Sequence, residues 1–166
     1  IVAVGADSAE EFGLDLTLEH ATEGSKIAPI LAAKGIPVTV GPLFTHFLKK
    51  FETRKTSAAS AGILARAGVK VALQTDRAYG LRMLTYSAAL AVHEGMPAED
   101  ALRAITIHAA EIIGVDKGVG RMGRGKDADI VVFSGHPFDY LTVAELVLVD
   151  GQVAYRREVP LPDRVR

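Results

Sequence analysis

At 166 residues, 49% hydrophobic and 23% charged, the chain has the composition of globular material long enough to bury a core. Its formal net charge of −1 offers no basic field for nucleic acid and no patch for an anionic membrane. With no cysteine there is neither a disulfide framework nor a thiolate metal site, so a metal must sit on His, Asp, Glu or lysine-derived ligands. In chain order, Leu14–Glu19 is the first strand candidate and closes on His20. Gly24–Ala33 has helical spacing and stops at Lys34-Gly35, a favoured helix-ending pair. Ile36–Val40 reads as a second strand, punctuated by Gly41-Pro42. Ser57–Ala67 is alanine-rich and helical with Gly68 at its end, and Val69–Leu73 is the third strand, its run closing through Thr75 on Asp76. Strands alternating with helices of this length predict βαβ units around a parallel sheet.

From Leu81 the pattern turns wholly helical. Leu81–Glu94 reads as one helix ended by Gly95. The next opens at Pro97 with Glu99 and Asp100 in its first turn, which suits the helix dipole. Ile107–Ile113 is short and stops at Gly114. Glycines at 118, 120, 123 and 125 then surround charged residues, Ala128–Phe133 reads as a strand, and Glu145–Val149 with Gln152–Tyr155 forms a hairpin on Asp150-Gly151. The change of character places a domain boundary near residue 117, α/β before it and mostly β after it.

Two strand candidates end in side chains able to bind a metal or move a proton. His20 and Asp76 are 76 − 20 = 56 residues apart, about two strand–helix units of a (β/α)8 barrel at roughly 31 residues each. A histidine and an aspartate at strand C-termini suggest part of an active-site rim.

A family comes into view from motifs in order along nearly the whole chain. Residues 118–133 resemble the "G-x-l-x-x-G-k-d-A-D-l-v-v" segment of amidohydrolase-superfamily enzymes, here ending Gly125-Lys126-Asp127-Ala128-Asp129-Ile130-Val131-Val132. Ala101–Thr106 with Ala109-Ala110 resembles that superfamily's "A-L-x-x-x-T-x-n-p-A" helices, and Val147–Tyr155 its closing hairpin. Glu19-His20-Ala21-Thr22, Gly41-Pro42, Lys50–Glu52 and Gln74-Thr75-Asp76 are similar to the imidazolonepropionase-like subgroup.

The resemblance implies an α/β fold: the C-terminal portion of a TIM (β/α)8 barrel, about the last three strand–helix units, followed by a small β-sandwich segment. Residues 1–117 would be the partial barrel, with 1–13 the helix leading into its sixth strand, and 118–166 the C-terminal share of the sandwich. His20 would follow the sixth strand as a metal ligand. Asp76 would follow the eighth, ligating the metal and acting as the catalytic acid/base. The cofactor implied is a divalent metal, zinc foremost, with one or two ions in a complete site. The reaction implied is hydrolysis of a C–N bond in an amide, cyclic amide or amidine of a small-molecule substrate. The absence of cysteine fits a cytoplasmic protein.

The departures are equally informative. The family's first-strand His-x-His pair is absent, since the five histidines stand at 20, 46, 93, 108 and 136. Neither the fourth-strand lysine or glutamate nor the fifth-strand histidine has a counterpart. The chain begins at Ile1 rather than Met, as expected of a processed product, an excised fragment or an incomplete frame. A catalytic zinc takes three protein ligands plus water, so the isolated chain is expected to be inactive and the full-length parent active. Three barrel strands leave open edges, and self-association as a homo-oligomer or binding to the missing N-terminal part is expected. The alternative function is a non-catalytic fragment or degenerate homologue serving as a structural or interaction module.

Other polar residues have plainer readings. Glu52 reads as a loop anchor or, more plainly, as part of a solvated charged stretch, and Arg77 stands where the subgroup often has histidine, with substrate contact and an acid partner both open. His46, His93 and His136 read as surface or turn residues, and His108, where an asparagine is common, as packed within its helix. The glycine-rich 118–125 loop lacks the Gly-Lys-Ser/Thr ending of a phosphate-binding loop and reads as a turn of the β segment. No apolar run approaches the ~20 residues of a membrane span, and no signal peptide is visible.

Overall fold

In the computed structural model the described residues are 2–43, 55–76 and 78–158. His46, Glu52 and Arg77 therefore lie outside them. The elements are α1 (Val2–Glu11), α2 (Ala28–Ala33), β1 (Val38–Val40), α3 (Ala59–Arg66), β2 (Val71–Leu73), α4 (Leu84–His93), α5 (Ala98–Ala104), α6 (Ile107–Ile112), β3 (Ile130–Phe133), β4 (Ala144–Val149) and β5 (Gln152–Arg156). Strands and helices alternate as far as β2, helices follow, and three strands close the described chain.

β1 and β2 pair in parallel with Val38 opposite Val71, Thr39 opposite Ala72 and Val40 opposite Leu73. Period-2 alternation gives the two faces different work. Val38, Val40, Val71 and Leu73 join a buried cluster with Leu31, Leu64, Ala88 and Ala101. Thr39 and Ala72, of the opposite parity, lie outside that cluster. The expected strand Leu14–Glu19 is reduced to one parallel bridge from Leu18 to Val38. Leu18 N–H donates to Pro37 and Thr39 N–H donates to Leu18. Among the described residues no strand pairs its outer edge, so only its end nearest β1 is held.

Two expected helices begin in tighter winding. A 3-10 turn at Gly24–Ile27 precedes α2, whose first turn holds Pro29, and a 3-10 segment at Ala78–Met83 precedes α4. At Gly80 a Cβ would stand 3.0 Å from the Thr75 carbonyl oxygen, so the chain turns tightly off the end of β2. Glycine also sets the seat of α3. A Cβ on Gly62 would approach Met96 N to 2.8 Å, which is how closely the helix lies on the α4–α5 turn. Arg66 donates to the Gly95 carbonyl at the same contact.

β3, β4 and β5 form a separate antiparallel sheet in that order. Its hairpin turns on Asp150 (φ 50°) and Gly151 (φ 73°), the paired positive angles that suit a tight two-residue turn. Every residue of β5 is exposed. The sheet meets the helices through Phe138, which packs against the main cluster, and through Tyr140, 6.3 Å from Tyr86 between ring centres. The glycine-rich loop lies on α6: a Cβ on Gly120 would reach within 2.7 Å of Ala110 Cβ. Lys126 secures the loop by donating to the Asp116 and Val119 carbonyls, a structural use of that lysine.

Candidate metal centre

Three chain segments end side by side, and their order follows from the ladder. The Thr39 hydroxyl donates to the Glu19 carboxylate, anchoring the residue before His20 to β1. Gln74 N–H donates to Val40 O at 3.0 Å, carrying the β1–β2 pairing one step beyond both strands. His20 and Asp76 thus arrive at one rim. Both leave the strand conformation there, each with φ 65°.

The side chains converge. His20 Nε2 lies 3.6 Å from Asp76 Oδ1, with the imidazole 50% and the carboxylate 39% exposed. At the other end of the ring, Nδ1 stands 2.8 Å from the Gly41 carbonyl oxygen. A carbonyl can only accept, so this contact places the imidazole proton on Nδ1 and leaves Nε2 with a free lone pair. Gln74 Nε2 lies 3.2 Å from the same Nδ1. Two donors cannot both face each other there, and the amide is the group that can turn.

An imidazole held through Nδ1 by a backbone carbonyl, beside a carboxylate, is a donor set suited to zinc. The two residues could supply two ligands to such an ion. Among the described residues no group of three His, Cys, Asp or Glu side chains forms. Close by, the turn after His20 is held by ion pairs: Lys26 donates to Glu23 and holds its carboxyl below the ordinary range, while Lys55 lies 3.6 Å from Glu23.

The remaining described histidines lie elsewhere. His108 is half-buried and its Nδ1 is 3.2 Å from the Val71 carbonyl at the start of β2, away from the rim. His136 sits in a turn, accepting from Phe138 N–H and meeting that ring edge-on, and His93 is exposed. A cavity of about 820 Å³ opens at the strand starts, lined in part by Asp15, Thr17, Lys34, Lys70 and Glu111. Both its lysines are paired, Lys70 with Glu111 at 2.9 Å and Lys34 with Glu10 and with Asp7, the latter at 3.1 Å.

Sequence reasoning named His20 and Asp76 but missed Gly41 and Gln74 as their neighbours. The signals were present: Gln74 shares the parity of Ala72, and Gly41 follows a strand directly.

The sequence pattern described as "Amidohydrolase family" matches residues 13–155. An amidohydrolase from Thermotoga maritima MSB8 superposes with a TM-score of 0.86 at 42% identity, over 94% of this chain and 41% of that one. Imidazolonepropionase from Geobacillus kaustophilus is 40% identical over 137 residues, 78% of this chain and 30% of the relative. Imidazolonepropionase from Clostridium tetani is 29% identical over 166 residues, 92% and 38% respectively. The chain spans less than half the length of each of these relatives.

Proposed function

Because this chain belongs to the amidohydrolase family, a family of hydrolases with a mixed α/β, TIM-barrel-type fold, we propose that it carries part of the active site of a metal-dependent enzyme that hydrolyses C–N bonds of small molecules. In this reading residues 1–117 are the last strand–helix units of a barrel and 118–166 the C-terminal share of a β-sandwich. The observation that carries it is the approach of His20 Nε2 to Asp76 Oδ1, 3.6 Å, at a common rim.

His20 would bind a divalent cation, zinc foremost, through Nε2, and Asp76 through a carboxylate oxygen. Such an ion, when bound, would lower the pKa of its water to about 7 and so supply hydroxide at neutral pH. The work of the chain's own groups follows from their placement. Gly41 holds the imidazole by Nδ1, so the ring presents Nε2 rather than a proton. Asp76 is half-exposed and can take a proton at Oδ1 from water and return it to a leaving nitrogen, which must be protonated to depart. Two donors fall short of three protein ligands, so activity belongs to the protein that supplies the rest.

The test is zinc analysis and a hydrolase panel of amides, cyclic amides and amidines on the full-length protein beside Asp76→Asn. Metal-dependent hydrolysis lost in the variant supports the reading; wild-type turnover in Asp76→Asn sinks it. One observation favours a second reading, an interaction module: Val131, Val149, Val153 and Tyr155 are exposed on the three-stranded sheet. Zinc-free protein that forms a defined complex and hydrolyses nothing would select it.

A further inference from the structure

We propose that Gln74 is a positioning residue for His20: with the Gly41 carbonyl it keeps the imidazole proton on Nδ1 and presents a bare Nε2 beside Asp76. The inference rests on the reading of His20 as a metal ligand and adds a residue to it. The two ends of the ring compete for one proton. At the Nε2 end the Asp76 carboxylate, 3.6 Å away, favours a proton on Nε2, which would block a cation. At the Nδ1 end the Gly41 oxygen, 2.8 Å away, favours the opposite tautomer.

Gln74 stands where it tips that balance. Its amide Nε2 lies 3.2 Å from Nδ1, and rotated by half a turn about its last side-chain bond, so that the oxygen faces the ring as the Gly41 contact requires, it is a second acceptor for the same proton. Turned the other way, its NH2 donates to Nδ1 and drives the proton to Nε2. One residue thus selects between a cation-receptive ring and one closed onto Asp76. The ring is half-exposed, and these hydrogen-bond contacts bear on its orientation. The backbone of Gln74 is held in place. Its N–H is bonded to Val40 O, and its carbonyl and Cγ press on Gly41, where a Cβ would lie 2.2 and 3.3 Å from them. Outer partners of metal-binding histidines are worth about 10- to 100-fold in metal affinity.

The experiment uses the full chain labelled with 15N-histidine, compared with Gln74→Leu, which keeps the volume, and Gln74→Glu, which keeps an acceptor. The imidazole 15N pattern at about pH 8, above the ordinary histidine range, reports the tautomer, and His20→Asn assigns the signal. Zinc affinity is measured by chelator competition. Wild type and Gln74→Glu are expected to carry the proton on Nδ1. Gln74→Leu is expected to shift it toward Nε2 and to weaken zinc about 10- to 100-fold. An unchanged tautomer and zinc affinity in folded Gln74→Leu overturns the proposal, as does failure of Gln74→Glu to restore the wild-type pattern. Zinc binding unaffected by His20→Asn instead overturns the ligand reading, while the 15N pattern still judges Gln74.

Discussion

Gly41 and Gln74 approach so closely across the β1–β2 pair that a Cβ on Gly41 would stand 2.2 Å from the Gln74 carbonyl oxygen. The backbone of Gly41, with φ 141°, lies where side-chain-bearing residues are rarely found. The same glycine supplies the carbonyl that holds His20 Nδ1. One position thus combines close packing, unusual backbone and a contact to the rim.

Gly41→Ala is therefore expected to cost at least about 2 kcal/mol, combining overpacking with backbone strain. Gly35→Ala is the control: φ is 63° but nothing lies within 4 Å of a Cβ there, so about 1 kcal/mol is expected. Urea midpoints of the two variants check the ordering, and equal losses would contradict the close-approach argument.

Asp76→Asn preserves shape and a residue type that tolerates positive φ. Stability is expected to hold within about 0.5 kcal/mol for this half-exposed group, while hydrolysis by the full-length protein falls about 10²- to 10⁴-fold. Thermal melts and initial rates on one preparation separate the two effects. A parallel fall in both would make Asp76 a structural turn residue instead.

Leu64 is fully buried on α3, within the cluster that receives Val71 and Leu73. Truncation to alanine is expected to cost about 2–5 kcal/mol through lost transfer energy and the cavity left behind. Denaturant unfolding measures it, and a loss under 1 kcal/mol would place Leu64 outside the cooperative core.

Lys70 lies 2.9 Å from Glu111, tying the entrance of β2 to α6. Its hydrogen bond holds the Glu111 carboxyl below the ordinary value of 4.5. A depressed folded value means stabilisation present above the unfolded value and lost as pH falls through the folded one. Both side chains are partly exposed, so Glu111→Gln is expected to cost less than about 1 kcal/mol at neutral pH. The gap from wild type should close in acid, as melting temperatures across a pH series would record. A gap that widens in acid would reverse the assignment.

The parallel strands were legible because Ile36–Val40 and Val69–Leu73 are β-branched runs between helix stops, and the structure keeps Val38–Val40 and Val71–Leu73 of them. The hairpin was legible from Asp150-Gly151. Leu14–Glu19 carried the same pattern but forms only the Leu18 bridge, because pairing depends on neighbours that local sequence does not contain. The winding at Ala78–Met83 was hidden for a similar reason: helical periodicity reports a face, not the tightness of the turn. His20 and Asp76 stood out as polar residues closing apolar runs. Gln74 did not, since its meaning comes from Gly41 and His20, neighbours across the sheet rather than along the chain.

His20 and Asp76 share a backbone angle, φ 65°, and that coincidence restricts which amino acids can occupy the rim at all. Left-handed backbone is several-fold enriched in asparagine, aspartate and histidine and strongly disfavours β-branched and bulky residues. The conformation thus filters the alphabet before any chemistry is selected. The short polar residues that pass are among the commonest carriers of metals and protons. In protein engineering, replacements at these two positions should be drawn from that small set first, and a redesign that flattens either turn into regular strand would remove the filter along with the site.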